Sequence, residues 1–284
     1  MDYEAYKEDI TTIITETVSA FYCQPVLFVG SGFSLRYFGA PNWSDLLQKM
    51  IEDCPKSTKP FAYYEQTFGN YPAIGSAIAA EYKSWAWEDE TNIFPKSLFE
   101  TGTHSEVYLK FHVADHIKAL TPADASATTE ELSAEIDALA KIRSHAIITT
   151  NYDEYLEGIF NDYTRVISED FIKESAFSVG EVIKIHGCVS EPESIVITED
   201  DYKIFSSKRK YLSAKLLTFF REHPVLFVGY SAKDPNIAAI LYDIDEALSM
   251  PGELIPNLFS RLSTKQSSRS RGAKQGWRDL GGRG

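Results

Sequence analysis

The sequence predicts an α/β protein, a three-layer Rossmann-like parallel sheet with helices on both faces and a helical insertion. Three observations support this fold class. Residues 26–29 are an uninterrupted apolar run, which is typical of a strand buried on both faces. Similar runs alternate with segments of helical periodicity, as connections between parallel strands require. A glycine-rich turn follows the first run directly, at the strand end where open α/β sheets bind ligands.

The N-terminal half contains one predicted strand and several helices. Apolar residues at three- and four-residue steps predict a helix over 2–22, which Pro25 ends. The strand at 26–29 and its glycine turn come next, and residues 35–40 are predicted to form a loop. The following stretch has helical patterns without clear strands, which predicts a helical insertion over about 45–140.

The C-terminal half alternates between strands and helices. After a helix at 129–143, four more strands are predicted, at 145–150, 182–186, 194–198 and 225–230. Helical patterns lie between or after them, at 153–160, 208–222 and 236–249. This alternation predicts a parallel sheet with right-handed crossovers.

Charge divides the chain into an acidic body and a basic tail. The net charge of the 284 residues is −13, yet seven Lys and Arg side chains and a single acid occupy residues 261–284. An acidic surface disfavours direct nucleic-acid binding by the body. We therefore expect one domain over residues 1–256 and a disordered tail over 257–284, where Ser, Gly, Arg and Lys dominate.

Cysteine usage and hydropathy bear on location and metals. The three cysteines are scattered at positions 23, 54 and 188, so no zinc module or disulfide framework is indicated. His112 and His116 lie four residues apart, but no third ligand is evident nearby, and no metal is expected. There is no early signal peptide and no apolar run near the ~20 residues that span a bilayer. These features predict a cytoplasmic protein with no membrane contact.

Polar residues follow four of the predicted strands. They are the segments 30–34 (Gly-Ser-Gly-Phe-Ser), 149–153 (Thr-Thr-Asn-Tyr-Asp), 186–187 (His-Gly) and 229–231 (Gly-Tyr-Ser). Each has a structural interpretation, because Asn, Asp and Ser cap helices and a His-Gly pair suits a turn. In a parallel sheet all four segments meet at one edge. Their coincidence therefore predicts one polar binding site.

This set of motifs resembles the sirtuin superfamily, which has Gly-Ala-Gly-x-Ser, Thr-x-Asn-x-Asp, His-Gly and Gly-x-Ser in the same order. The closer resemblance is to sirtuin-like domains of bacterial anti-phage defence systems. Those also share the Lys-x-His-Gly strand, here 184–187, the Asp-Asp-Tyr at 200–202, and a Phe-to-Asn ending, here 227–236. The resemblance covers residues 25 to about 250.

The resemblance implies NAD+ as the ligand and substrate. A cofactor-binding group would hold its diphosphate and adenosine ribose through Gly30, Ser31, Gly32, Phe33, Ser34, Gly229, Tyr230 and Ser231. A catalytic group would consist of Asn151, His186 and Asp153. By the same resemblance Asn151 orients the nicotinamide ribose or a water, His186 is the general base, and Asp153 orients its neighbours.

The missing four-cysteine zinc module separates this chain from the lysine deacetylases of the superfamily. The defence-type members, which also lack it, are NAD+ glycohydrolases that release nicotinamide and ADP-ribose. The resemblance thus implies a cell-killing effector that requires control by assembly as a homo-oligomer or by a partner. In related systems the partner is a helicase-type ATPase, an Argonaute or a sensor protein.

Three alternatives stay open from the sequence. The first is a non-catalytic module that binds NAD+ or ADP-ribose. The second is an NAD-dependent protein deacylase without zinc. The third is a subunit of a nucleic-acid-processing complex, for which the basic tail is the only support.

Overall fold

A computed structural model describes residues 3–88, 92–123, 129–167, 179–230, 242 and 258–262. Within these residues, six strands form a single sheet of order β3-β4-β2-β1-β5-β6, in which every neighbouring pair is parallel. The strands are β1 (Val26–Val29), β2 (Ala146–Thr149), β3 (Thr164–Ile167), β4 (Glu181–Lys184), β5 (Val225–Val228) and β6 (Leu258–Leu262). The predicted parallel sheet is confirmed.

Helices are present near 2–22, 129–143, 153–160 and 208–222 as predicted, with different bounds, whereas the second helix along the chain was not predicted. The helices are α1 (Tyr3–Phe21), α2 (Ser31–Phe38), α3 (Trp43–Asp53), α4 (Phe61–Phe68), α5 (Tyr71–Glu88), α6 (Val107–Leu120), α7 (Glu130–Ala140), α8 (Tyr155–Ile159) and α9 (Glu199–Glu222). Short 3-10 helices occur at Lys96–Phe99 and Pro192–Ser194. Of the helix predicted at 236–249, only residue 242 is among the described residues, and it is helical.

Helices cover both faces of the sheet, which confirms the three-layer architecture. On one face, alternate strand residues such as Phe28 and Ile148 pack against Leu216 and Phe220 of α9. On the other face, the remaining strand residues pack against three helices, α2, α7 and α8. Because β1 is buried on both faces, it is apolar throughout rather than alternating.

The helical insertion forms a core of its own, which we call the helical cap. It consists of α3, α4, α5 and α6, whose buried side chains also enclose residues of the segment 188–197. The predicted insertion extended to residue 140, but α7 belongs to the sheet layers, because its Ile136 packs with Leu27 and Ile147. The cap therefore ends at α6.

Two predictions of local structure are wrong. Residues 35–40 were expected to be a loop, yet α2 begins at Ser31 and runs to Phe38. Residues 194–198 were expected to be a strand, yet they follow a 3-10 turn and lead into α9, whose first residue is Glu199. Ile195 and Ile197 are fully buried within the core of the helical cap, so their apolar character reflects that packing rather than strand pairing.

The C-terminal boundary also lies later than the sequence suggested. Strand β6 begins at Leu258 and pairs with β5, so the sheet extends beyond residue 256. Residues 263–284, which make up most of the predicted tail, lie outside the described residues. Among the helices that the structure describes, none combines the length and apolar character needed to cross a membrane.

Candidate active site

The carboxyl ends of four strands meet in register at one edge of the sheet. Val29 of β1 lies opposite Thr149 of β2 on one side and Val228 of β5 on the other. Thr149 in turn lies opposite Lys184 of β4. The polar segments that follow these strands therefore begin side by side, as the sequence predicted. Since β1 has β2 on one side and β5 on the other, this edge is also the switch point where doubly wound sheets bind ligands.

The glycines after β1 and β5 allow two loops to pack closely. The Gly32 amide donates to the Gly229 carbonyl at 2.8 Å, and the Gly30 amide donates to the Val228 carbonyl at 3.0 Å. Gly229 has a φ of 61°, and a Cβ there would lie 2.3 Å from the Phe33 nitrogen. The backbone of both loops thus excludes larger residues.

Asn151 has its carboxamide fixed at the centre of this edge. Its Nδ2 donates to the Gly30 carbonyl at 3.1 Å and to Ser34 Oγ at 2.9 Å. A carbonyl only accepts, so the Gly30 contact assigns which end of the amide is nitrogen. Asn151 Oδ1 consequently points away from Gly30 and Ser34, and it is buried without a hydrogen-bond partner among the described residues. A buried acceptor without a donor needs an explanation, and a ligand is one.

Asp153 shares the same network through Ser34. The Ser34 hydroxyl donates to Asp153 Oδ2 at 2.7 Å while it accepts from Asn151. Asp153 Oδ1 accepts from the Tyr155 amide at 3.1 Å, which fixes the chain where α8 begins. Ser34 and Asp153 are 2% and 4% exposed, so these bonds are shielded from water. Ser34 was expected to hold a diphosphate, but here its hydroxyl joins α2 to the segment after β2.

Lys184 stabilises this network from the interior of the sheet. It was not assigned a role in the site from the sequence. Its side chain is completely buried on β4, and its Nζ donates to the Asp153 carbonyl. The same Nζ lies 3.2 Å from Glu157 Oε1 on α8. A lysine within the apolar run Val182 to Ile185 was the sequence signal, since Lys is almost never fully buried without a partner.

His186 lies two residues beyond β4, as Asn151 lies two residues beyond β2. It is 4% exposed, and its ring packs edge-on against Phe205 at 5.3 Å and Tyr202 at 6.0 Å. The next residue, Gly187, has a φ of 91°, and a Cβ there would lie 2.2 Å from the Ser194 carbonyl oxygen. The His-Gly pair thus forms a turn that only glycine fits, and the imidazole is held by aromatic rings.

The helical cap contacts the first turn of α9, whose Tyr202 also packs against His186. Tyr202 stacks against Trp43 of α3, with ring centroids 5.6 Å apart and planes at 14°. The Asp-Asp-Tyr motif lies in the first turn of α9. Its Asp201 completes a capping box with Thr198 and pairs with Lys110 of α6. Asp201 accordingly has a structural role.

Other predicted site residues lie at the margin. Ser31 is exposed at the start of α2, whereas Phe33 is 2% exposed and packs against Tyr37 at 4.7 Å, inside the sheet layers. Tyr230 packs its ring against Phe28 at 5.1 Å. Ser231 lies outside the described residues.

The histidine pair on α6 has its own environment away from this edge. His112 Nε2 lies 3.5 Å from Asp53 Oδ2, and burial lowers the pKa of His116. In the part of the chain that the structure describes, no three His, Cys, Asp or Glu side chains form a group that would hold a metal ion.

Comparison with known families finds a similarity in the C-terminal half. A model of the SIR2-like domain matches residues 145–275. The match begins at β2 and contains the segments that hold Asn151, Asp153 and His186.

Three relatives have names that concern NAD+ or defence. The chain is 32% identical over 118 residues to NAD(+) hydrolase ThsA of Bacillus cereus (strain MSX-D12), covering 38% of this chain and 24% of that protein. It is 25% identical over 222 residues to defense-associated sirtuin 2 of Bacillus subtilis, covering 76% and 19%. It is 27% identical over 135 residues to NAD(+) hydrolase ThsA of Cytobacillus dafuensis, covering 45% and 27%. The matches thus span about a fifth to a quarter of the relatives' lengths.

Proposed function

We propose that this chain, which carries a SIR2-like domain and is similar to proteins named NAD(+) hydrolase, cleaves NAD+ to nicotinamide and ADP-ribose. The observation that carries the proposal is the carboxamide of Asn151. Its nitrogen is committed to Gly30 and Ser34, and its Oδ1 is a buried acceptor without a partner among the described residues. Such an oxygen accepts a hydrogen bond from a ribose hydroxyl or from an attacking water.

The reaction breaks the bond between the nicotinamide nitrogen and C1′ of the ribose. Water adds its oxygen to C1′ and gives up a proton, while nicotinamide leaves with the bonding electron pair. In this proposal Asn151 orients the ribose or the water, and His186 takes the proton as general base. Asp153 orients Ser34 and, through it, Asn151. The dry surroundings of these groups strengthen each polar contact with the developing charge at C1′.

The loops after β1 and β5 would bind the remainder of NAD+. The N-terminus of α2 at Ser31 provides a dipole suited to a diphosphate, and Ser31 is exposed. The amides of Gly30 and Gly32 already donate to the loop after β5. Direct contact of a diphosphate with these two amides therefore requires the start of α2 to separate from the segment that follows β5.

The proposal is tested by nicotinamide release from NAD+, with the chain alone and with the product of the neighbouring gene. Asn151→Ala and His186→Ala should each lower kcat by about 10²- to 10⁴-fold, the usual contribution of a positioned acid–base group. Asn161→Ala and His104→Ala provide matched controls, because both residues are exposed and lie outside the site. Unchanged release in the site variants would show that the proposed residues are wrong.

The alternative functions predict different outcomes of the same assay. A binding module would show thermal stabilisation by ADP-ribose without release of nicotinamide in any state. A deacylase would release nicotinamide only with an acylated peptide. Release that depends only on NAD+ and water excludes both.

The biological role is part of the proposal. Similarity to a protein named defense-associated sirtuin 2 supports a role in defence. In this role the proposed reaction depletes NAD+ and kills the cell. An enzyme of this kind needs control, which we assign to assembly into a homo-oligomer or to a partner such as an ATPase, an Argonaute or a sensor. Expression with the neighbouring gene should lower cellular NAD+ and growth, and Asn151→Ala should abolish both effects.

A further inference from the structure

The ion pair of Lys184 and Glu157 lies beneath the site without being part of it. Lys184 is completely buried, and both carboxylate oxygens of Glu157 are shielded from solvent. Glu157 Oε1 lies 3.2 Å from Lys184 Nζ. A buried ion pair rarely adds stability, because desolvation offsets the attraction between the charges. Its presence within an apolar strand therefore calls for a role other than stability.

The contacts of Lys184 connect it to every polar group of the proposed site after β2. Its Nζ donates to the Asp153 carbonyl, so the lysine fixes the position of the segment after β2 relative to β4. The Asp153 carboxylate accepts from Ser34, and Ser34 accepts from Asn151. Lys184 is also the last residue of β4, two residues before His186. One side chain thus links the strand that leads to His186 to the segment that carries Asn151.

We propose that Lys184, held by Glu157, is a positioning residue that fixes Asn151 relative to His186. The inference rests on the proposed function and concerns how its two principal residues are aligned. Lys184 itself does not contact the substrate, since it has no exposed surface. A displacement of about 1 Å at a reacting group costs on the order of 10²-fold in rate.

The test compares Lys184→Met, the double variant Lys184→Met/Glu157→Gln and the control Lys110→Met. Methionine keeps most of the length of the side chain and removes the charge. Lys110 is a good match because it is also buried and ion-paired, to Asp201, while its bonds, to Asp201 and to the Glu193 carbonyl, do not involve the segment 150–157. The double variant leaves no unpaired buried charge, so it carries the test if Lys184→Met fails to fold.

The measured quantities are kcat and KM for nicotinamide release and amide hydrogen exchange over residues 150–155. Both lysine variants at position 184 should lose about 10- to 100-fold in kcat with KM changed less than about threefold. Their amides over 150–155 should exchange faster than those of the wild type. The Lys110→Met protein should have the wild-type kcat at temperatures at which it is folded.

Two results would overturn the inference. A folded double variant with wild-type kcat and exchange would show that Lys184 only neutralises Glu157. An equal loss of kcat in Lys110→Met would show a general effect of stability. If the wild type releases no nicotinamide in any state, the proposed function fails separately. Hydrogen exchange then decides the inference, since unchanged protection over 150–155 in the double variant contradicts it.

Discussion

Removal of the Ser34 hydroxyl should destabilise the fold far more than an ordinary serine substitution. In Ser34→Ala, Asp153 Oδ2 loses its donor, which is 2.7 Å away, while the carboxylate remains 4% exposed. A hydrogen bond to a charged group contributes about 1.5–3 kcal/mol, and a buried acceptor without a donor adds a desolvation cost. The Asn151 nitrogen keeps its second acceptor, the Gly30 carbonyl at 3.1 Å. We therefore expect a loss of about 2–3 kcal/mol in the free energy of unfolding.

Urea denaturation measures this loss as a lower midpoint with an unchanged slope. Ser84→Ala is the matched control, since Ser84 is exposed and donates only to the Ala80 carbonyl at 3.2 Å, so its effect should stay within about 0.5 kcal/mol. The variant should also release nicotinamide more slowly, because Asn151 is held by one acceptor instead of two. A Ser34→Ala protein as stable as the Ser84→Ala control would refute the network described here. A loss confined to ADP-ribose affinity would instead indicate direct contact of Ser34 with the diphosphate.

Gly229→Ala should cost about 2–5 kcal/mol, because a Cβ would lie 2.3 Å from the Phe33 nitrogen at a φ of 61°. Gly69→Ala, at a φ of 72° with open space around it, should cost only the backbone strain of about 1–2 kcal/mol, and equal losses would contradict the packing argument. Burial, and next the neighbouring His223, lower the pKa of His145 below its ordinary value. The unfolded chain then binds more protons just below pH 6.5, so stability should fall as pH decreases from about 7.5, by at most about 1.4 kcal/mol per pH unit from this group. His145→Gln should flatten the thermal-melting profile between pH 7.5 and 5.5, and an identical slope would show that His145 does not contribute.

The polar edge of the sheet could be predicted from the sequence, because short runs of neighbouring residues determine it. Apolar runs buried on both faces identify parallel strands, and their carboxyl ends carry the residues that bind ligands. Asn151 and His186 were proposed as site residues in this way, and each lies two residues beyond a strand. The strand β3 was missed because its first two residues, Thr164 and Arg165, are exposed and interrupt the apolar pattern.

The interactions inside the site could not be predicted in the same way. Ser34 and Asp153 are 119 positions apart, and no local pattern shows that one donates to the other. The same holds for Lys184 and Asp153, which are 31 positions apart. Such contacts depend on how α2 and α8 pack against one face of the sheet.

Residues 194–198 show the difference between what the sequence determines and what the tertiary structure determines. Their central run of three apolar residues, Ile195 to Ile197, is typical of a strand, and all three side chains are buried in the structure. Only the tertiary structure decided what buries them, because the helical cap packs over this segment so closely that a Cβ on Gly75 of α5 would lie 2.2 Å from the Ile197 carbonyl oxygen. The sequence determined the sheet and its polar edge through short-range hydrophobic patterns. The packing of the cap and the alignment of the polar groups required the folded chain, because they depend on contacts between residues far apart in sequence.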